Sequence, residues 1–124
     1  MNKLDELAKH CEEATGPDRS IDGLIAHAIG CTMPDDPAGW PPRYTASIDA
    51  ALTLVPDGWY WRCGKTTSFQ AWAVVNRTHP DHCEPNKDEF FANRDHWKPI
   101  WTPVLALCAA ALRARAVLPD APRE

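Results

Sequence analysis

Residues 59–77 read Trp59-Tyr60-Trp61-Arg62-Cys63-Gly64-Lys65-Thr66-Thr67-Ser68-Phe69-Gln70-Ala71-Trp72-Ala73-Val74-Val75-Asn76-Arg77, and this stretch decides the fold. Residues 59–63 and 69–77 are dense in aromatic and β-branched side chains, which suit a pleated surface, and 64–68 between them has turn chemistry. An antiparallel hairpin is expected. Strand side chains alternate, so Trp59, Trp61 and Cys63 share one face and Tyr60 and Arg62 the other, while Phe69, Ala71, Ala73 and Val75 oppose Trp72 and Val74. Apolar groups stand on both faces, which predicts cover on both.

Outward from the hairpin the apolar spacing changes from two to three or four. Leu4, Leu7, Ala8 and Cys11 recur at i, i+3, i+4 and i+7, with Asn2 placed to cap and Asp5 three residues on. The breaker run Thr15-Gly16-Pro17-Asp18 ends this helix. Ile21, Leu24, Ile25, Ala28 and Ile29 resume the period until Gly30 stops it. Residues 31–43 hold Pro34, Pro37, Pro41 and Pro42 and read as a loop. Thr45 or Ser47 caps a third, short helix with the buried stripe Ile48, Ala51, Leu52 and Val55, closed by Pro56-Asp57-Gly58.

After the hairpin, 78–101 is a long polar connection pinned by Phe90, Phe91, Trp97, Ile100 and Trp101, with a short helix expected around 88–93. Thr102 caps and Pro103 opens a fourth helix over 104–116. Its apolar surface predicts burial all round or packing against another subunit, and Arg113 and Arg115 favour the C-terminal end of its dipole. The class is therefore α+β: a small antiparallel sheet, centred on the Trp-rich hairpin, with helices packed on both faces as an α/β/α sandwich. Residues 1–118 form one domain and 119–124 a disordered tail.

A chain of 124 residues supports one core, not two. Its 44% hydrophobic and 24% charged content excludes a disordered chain. The net charge of -4 argues against non-specific nucleic-acid binding, which depends on phosphate neutralisation. No run approaches the roughly 18 apolar residues of a membrane span, and the start lacks a signal-peptide pattern, so a cytoplasmic protein without membrane contact is expected. Cys11, Cys31, Cys63, Cys83 and Cys108 are scattered and read as free thiols.

A Gly-rich phosphate loop, a Gly-x-Ser-x-Gly elbow and a His-Glu-x-x-His motif are all lacking, and a non-enzyme is expected. His79-Pro80-Asp81-His82-Cys83, with Cys63 and His96, offers ligand types that zinc accepts. It is one cluster where a zinc signature has two, so neither a metal nor a cofactor is assigned. Anion chemistry is better placed at Arg43-Tyr44-Thr45-Ala46-Ser47, where a helix start presents backbone N–H groups beside a guanidinium. Tyr60, Arg62 and Trp72, on the hairpin's second face, suit stacking of a base and pairing with a phosphate. Arg43, Tyr44, Thr45, Ser47, Tyr60, Arg62 and Trp72 make up the expected ligand site.

Three stretches carry a resemblance: ATGPDRSID at 14–22, YTASIDAALTLVP at 44–56, and TPVLALCAAAL at 102–112, with the AWA strand at 71–73 between the last two. In order and spacing they resemble a family of small phage and prophage proteins of unassigned function, similar to those grouped as the phage ABA sandwich domain. The resemblance runs from Ala14 onward, although the loop at 78–98 is longer than the family's usual connection. It implies a sheet with helices on both faces and brings no catalytic motif. By analogy it implies an anti-defence accessory protein, a homo-oligomer that sequesters a nucleotide-derived immune signal of the host. The alternative is a protein-interaction or virion-associated structural role without a small ligand.

Overall fold

A computed structural model of the protein describes residues 3–30, 42–66, 70–76, 89–93 and 99–117. The elements run α1 (Lys3–Glu13), α2 (Arg19–Ile29), α3 (Ile48–Leu52), β1 (Tyr60–Lys65), β2 (Ala71–Asn76), β3 (Glu89–Ala92) and α4 (Pro103–Val117). The strands form one antiparallel sheet in the order β1-β2-β3. The hairpin pairs without a break from Tyr60–Asn76 to Lys65–Ala71.

This register places Trp61, Cys63, Ala71, Ala73, Val75, Phe90 and Ala92 on the face against which α4 packs. Ala71, Ala73, Val75 and Ala92 are fully buried there, and α4 brings Ala106, Ala109 and Ala110 into the same core. Small side chains on both partners let helix and sheet approach closely at the density of a protein interior. Thr102 caps α4 as expected, its hydroxyl accepting from the Leu105 N–H at 3.1 Å. On its other sides α4 meets α1 and α3, and α2 packs on α1. Residues 105–112 of α4 are all buried inside a single chain, so its apolar surface calls for no second subunit.

The class is the expected α+β, with helical packing against the sheet. Among the described residues this packing comes from α4 on one face, and no second helical layer occurs on the other. That second face is divided: Val74 and Asn76 of β2 are buried, whereas Tyr60 and Arg62 of β1 are exposed. No helix among the described residues is long and apolar enough to cross a membrane.

Three expectations are corrected. Residues 89–92 form β3 rather than a short helix, because the edge of β2 has backbone groups to pair and a strand pairs them. Phe90 then faces α4's side beside Trp59, with ring centroids 5.9 Å apart, and Phe91 lies opposite Val74. Asn93 ends the strand in the left-handed region at φ 61°, and its side-chain amide donates to the Ala71 carbonyl at 2.8 Å. The buried stripe of α2 is Ile21, Asp22, Ile25 and Ala26, while Leu24 is 46% exposed. In α3 the helix stops at Leu52, and Leu54 in the following turn is buried more deeply than Val55. The cluster at His79–Cys83, together with His96 and the tail at 119–124, lies outside the described residues.

Candidate functional site

The expected ligand residues fall into two groups that the fold keeps apart. In the first, Arg43 is exposed, but Tyr44 and Thr45 are buried at 1% exposure. The reason is Asp22, fully buried on the inner face of α2. Its Oδ1 accepts from the Thr45 N–H and the Thr45 hydroxyl, each at 2.8 Å, and its Oδ2 accepts from Arg19 Nη1 at 2.8 Å. The Asp18 N–H donates to Thr45 Oγ1 at 2.8 Å, and the Asp18 carboxylate caps α2 by accepting from Ser20 and Ile21. The Tyr44 carbonyl accepts from the Cys108 thiol at 3.1 Å, and Ser47 caps α3 through the Ala50 N–H. The anion-binding capacity expected at 43–47 is therefore engaged within the protein: this segment clamps α2 to α4.

The Cys108 thiol is held well above the ordinary thiol range, first by its hydrogen bond with Cys11, then by burial, and then by its electrostatic interaction with Cys11 and Asp22. Burial also pushes up Cys63, on the sheet face beneath α4. Neither thiol has the depressed pKa that marks a nucleophile.

The second group does come together. Tyr60, Arg62 and Trp72 share the sheet face turned away from α4, with Arg62 across from Val74 and Trp72 across from Gly64. The Trp72 indole lies over Gly64 so closely that a Cβ there would meet it at 3.0 Å. Tyr60 is 43% exposed and the neighbouring Trp61, on the opposite face, 41%. The result is an open aromatic and basic surface along β1. It is separated from 43–47 by the sheet and α4.

A concave site lies elsewhere. Lys9, Glu12 and Glu13 of α1, Arg113 of α4, and Pro99 and Trp101 of the segment entering α4 line a groove of about 540 Å³. That segment is fixed by the Ala71 N–H, which donates to the Ile100 carbonyl at 3.0 Å, and by a parallel bridge from Gln70 to Ile100. Arg113 Nη1 donates to Glu12 Oε2 at 2.6 Å and to the Phe91 carbonyl at 3.0 Å. The Glu12 carboxylate raises the Arg113 pKa above its usual value, keeping a fixed cation in the wall. Trp101 is 39% exposed at the rim. A volume in the range of ordinary small-molecule sites, one aromatic face, two cations and two carboxylates define what the groove accepts.

No known protein family, curated protein or solved structure matches this chain. The phage-type resemblance thus rests on the three quoted stretches alone.

Trp101 was legible in the sequence only as an anchor of the 78–101 connection, and Lys9, Glu12 and Glu13 only as the polar side of α1. They meet Arg113 because both ends of the chain pack together, and no local spacing signals that.

Proposed function

We propose that the protein is a non-catalytic binding protein of the phage accessory type, and that it takes a planar, singly anionic small molecule in the groove between α1 and α4. The observation that carries this is Trp101, exposed at the rim of a 540 Å³ groove whose wall holds Lys9 and Arg113. An aromatic side chain stacks a heterocycle, and a cation beside it pairs with one phosphate or carboxylate. Glu12 and Glu13 share the wall and disfavour a polyphosphate chain, since like charges in a confined site repel. Among nucleotide-derived signals this favours cyclic mononucleotides over pyrophosphate-bridged ones. Sequestration of such a signal is the anti-defence role that the resemblance implies.

The test is a thermal-shift and calorimetric screen with cyclic AMP, cyclic GMP, cyclic dinucleotides and ADP-ribose. Binding of a cyclic mononucleotide is expected, weakened at least about tenfold by Trp101→Ala and largely kept by Trp101→Phe. Absence of binding by every probe, or binding indifferent to Trp101, overturns the proposal.

A second reading, a protein-interaction role, is favoured by one separate observation: two large aromatics, Tyr60 and Trp61, are successive residues of β1 and stand exposed on its opposite faces. Tyr, Trp and Arg are the residue types that anchor interfaces.

A further inference from the structure

We infer that the groove between α1 and α4 selects guanine among the bases, and that Glu13 is the side chain that reads it. This rests on the proposal that the groove takes a cyclic mononucleotide, and it names the base.

The charges of the groove wall are not equivalent. Glu12 and Arg113 hold each other, with the Glu12 side chain only 7% exposed, and Arg113 is fixed a second time by the Phe91 carbonyl. Lys9 and Glu13 are exposed, and among the described residues neither side chain enters a hydrogen bond or ion pair. They stand four positions apart on α1, one helical turn, so they share one side of the helix with Cβ atoms about 5–6 Å apart. The groove thus offers Trp101 for stacking, with one uncommitted cation and one uncommitted carboxylate from the same helix. A ligand that uses both carries an anion toward Lys9 and hydrogen-bond donors toward Glu13.

An ionised carboxylate can only accept, through two oxygens set side by side. It pairs with two adjacent donors and is repelled by an edge that presents lone pairs. The Watson–Crick edge of guanine supplies N1–H and N2–H together. Adenine and cytosine each place a ring-nitrogen lone pair beside the amino group, and uracil flanks its single N–H with two carbonyls. Guanine alone forms the two parallel charge-assisted bonds. Because Glu13 is exposed, water competes for it, and the expected preference is about tenfold rather than the 10⁴ or more, roughly, that a buried polar group achieves.

Calorimetric titration of the intact protein with cyclic GMP, cyclic IMP and cyclic AMP tests this. Cyclic GMP should bind about tenfold more tightly than cyclic AMP, with cyclic IMP, which keeps N1–H and lacks the amino group, between them. Glu13→Gln presents one acceptor and one donor, the pattern adenine matches, and should bring cyclic GMP and cyclic AMP to within about twofold of each other. Glu6→Gln, the same loss of charge on α1 outside the groove, should leave the preference unchanged. Both glutamates are exposed, so the fold should survive, and unchanged circular dichroism checks that it does. Equal affinity for cyclic GMP and cyclic AMP, or a preference that Glu13→Gln leaves intact, overturns the role of Glu13 while the groove remains the ligand site. Absence of binding by every cyclic nucleotide, or binding indifferent to Trp101→Ala, overturns both proposals.

Discussion

At the residue scale, the buried carboxylate of Asp22 is the least expendable polar group described. It collects the Thr45 N–H, the Thr45 hydroxyl and the Arg19 guanidinium, and Asp22→Ala leaves the Thr45 N–H buried without an acceptor and the Thr45 hydroxyl with only the Asp18 carbonyl, at 3.2 Å. The expected loss is about 3 kcal/mol, read as a lower urea midpoint at constant m-value. Asp22→Asn should cost less, because its carbonyl oxygen can still accept from Thr45 while only the Arg19 contact, at a partly exposed guanidinium, is lost. Gly64→Ala is a steric case. The new Cβ would sit 3.0–3.2 Å from three atoms of the Trp72 ring, so the indole must slide. About 1 kcal/mol of destabilisation and a displaced Trp72 indole N–H resonance are expected.

Elements were legible where local chemistry is decisive. The Thr102-Pro103 start of α4, the Gly30 stop of α2 in the left-handed conformation at φ 74°, and the alternation of the hairpin all follow from a few adjacent side chains. The failures have a different origin. In α2 the period is correct but the buried face is rotated, because the docking of Asp22 on Thr45 outweighs what burial of Leu24 would contribute. Phe90-Phe91 read as part of a short helix around 88–93, and they form a strand because β2 offers an edge to pair. The ligand site divided in the same way: Tyr60, Arg62 and Trp72 share a face by alternation, whereas the fate of Tyr44 and Thr45 was set by α2 and α4, distant in sequence. Arg115 shows such a long-range role in detail. Its Nε donates to the Leu54 carbonyl at 2.7 Å and its Nη2 to the Thr53 carbonyl at 3.3 Å, closing the end of α3 rather than only complementing the dipole of α4. Arg115→Ala should cost about 1 kcal/mol and speed amide exchange over 48–55 while leaving the sheet unaffected.

For the whole molecule, the buried thiols link stability to pH. Cys108 has its pKa raised in the folded protein, so between its unfolded and folded values the native state retains a proton that the unfolded chain has released. The contribution is fully present below the unfolded value of about 8.5 and is lost as pH rises from there toward the folded value. Denaturation midpoints measured from pH 7 into the alkaline range should fall accordingly, and Cys108→Ala should flatten that decline even though it lowers stability throughout.

The position of α4 also has a consequence for the order of synthesis. The helix that joins the sheet to α1 and α3 is made after every other described element, and its Arg113 reaches back across 101 positions to Glu12. A ribosome that has released the hairpin and the first three helices has not yet delivered the surface on which they assemble. The decisive step of folding thus waits for α4 and is dominated by contacts of long sequence separation, which slow it. Until that step the alanine-lined face of β2 and the inner side of α1 are uncovered, and truncation before Thr102 should yield an aggregating product rather than a smaller domain.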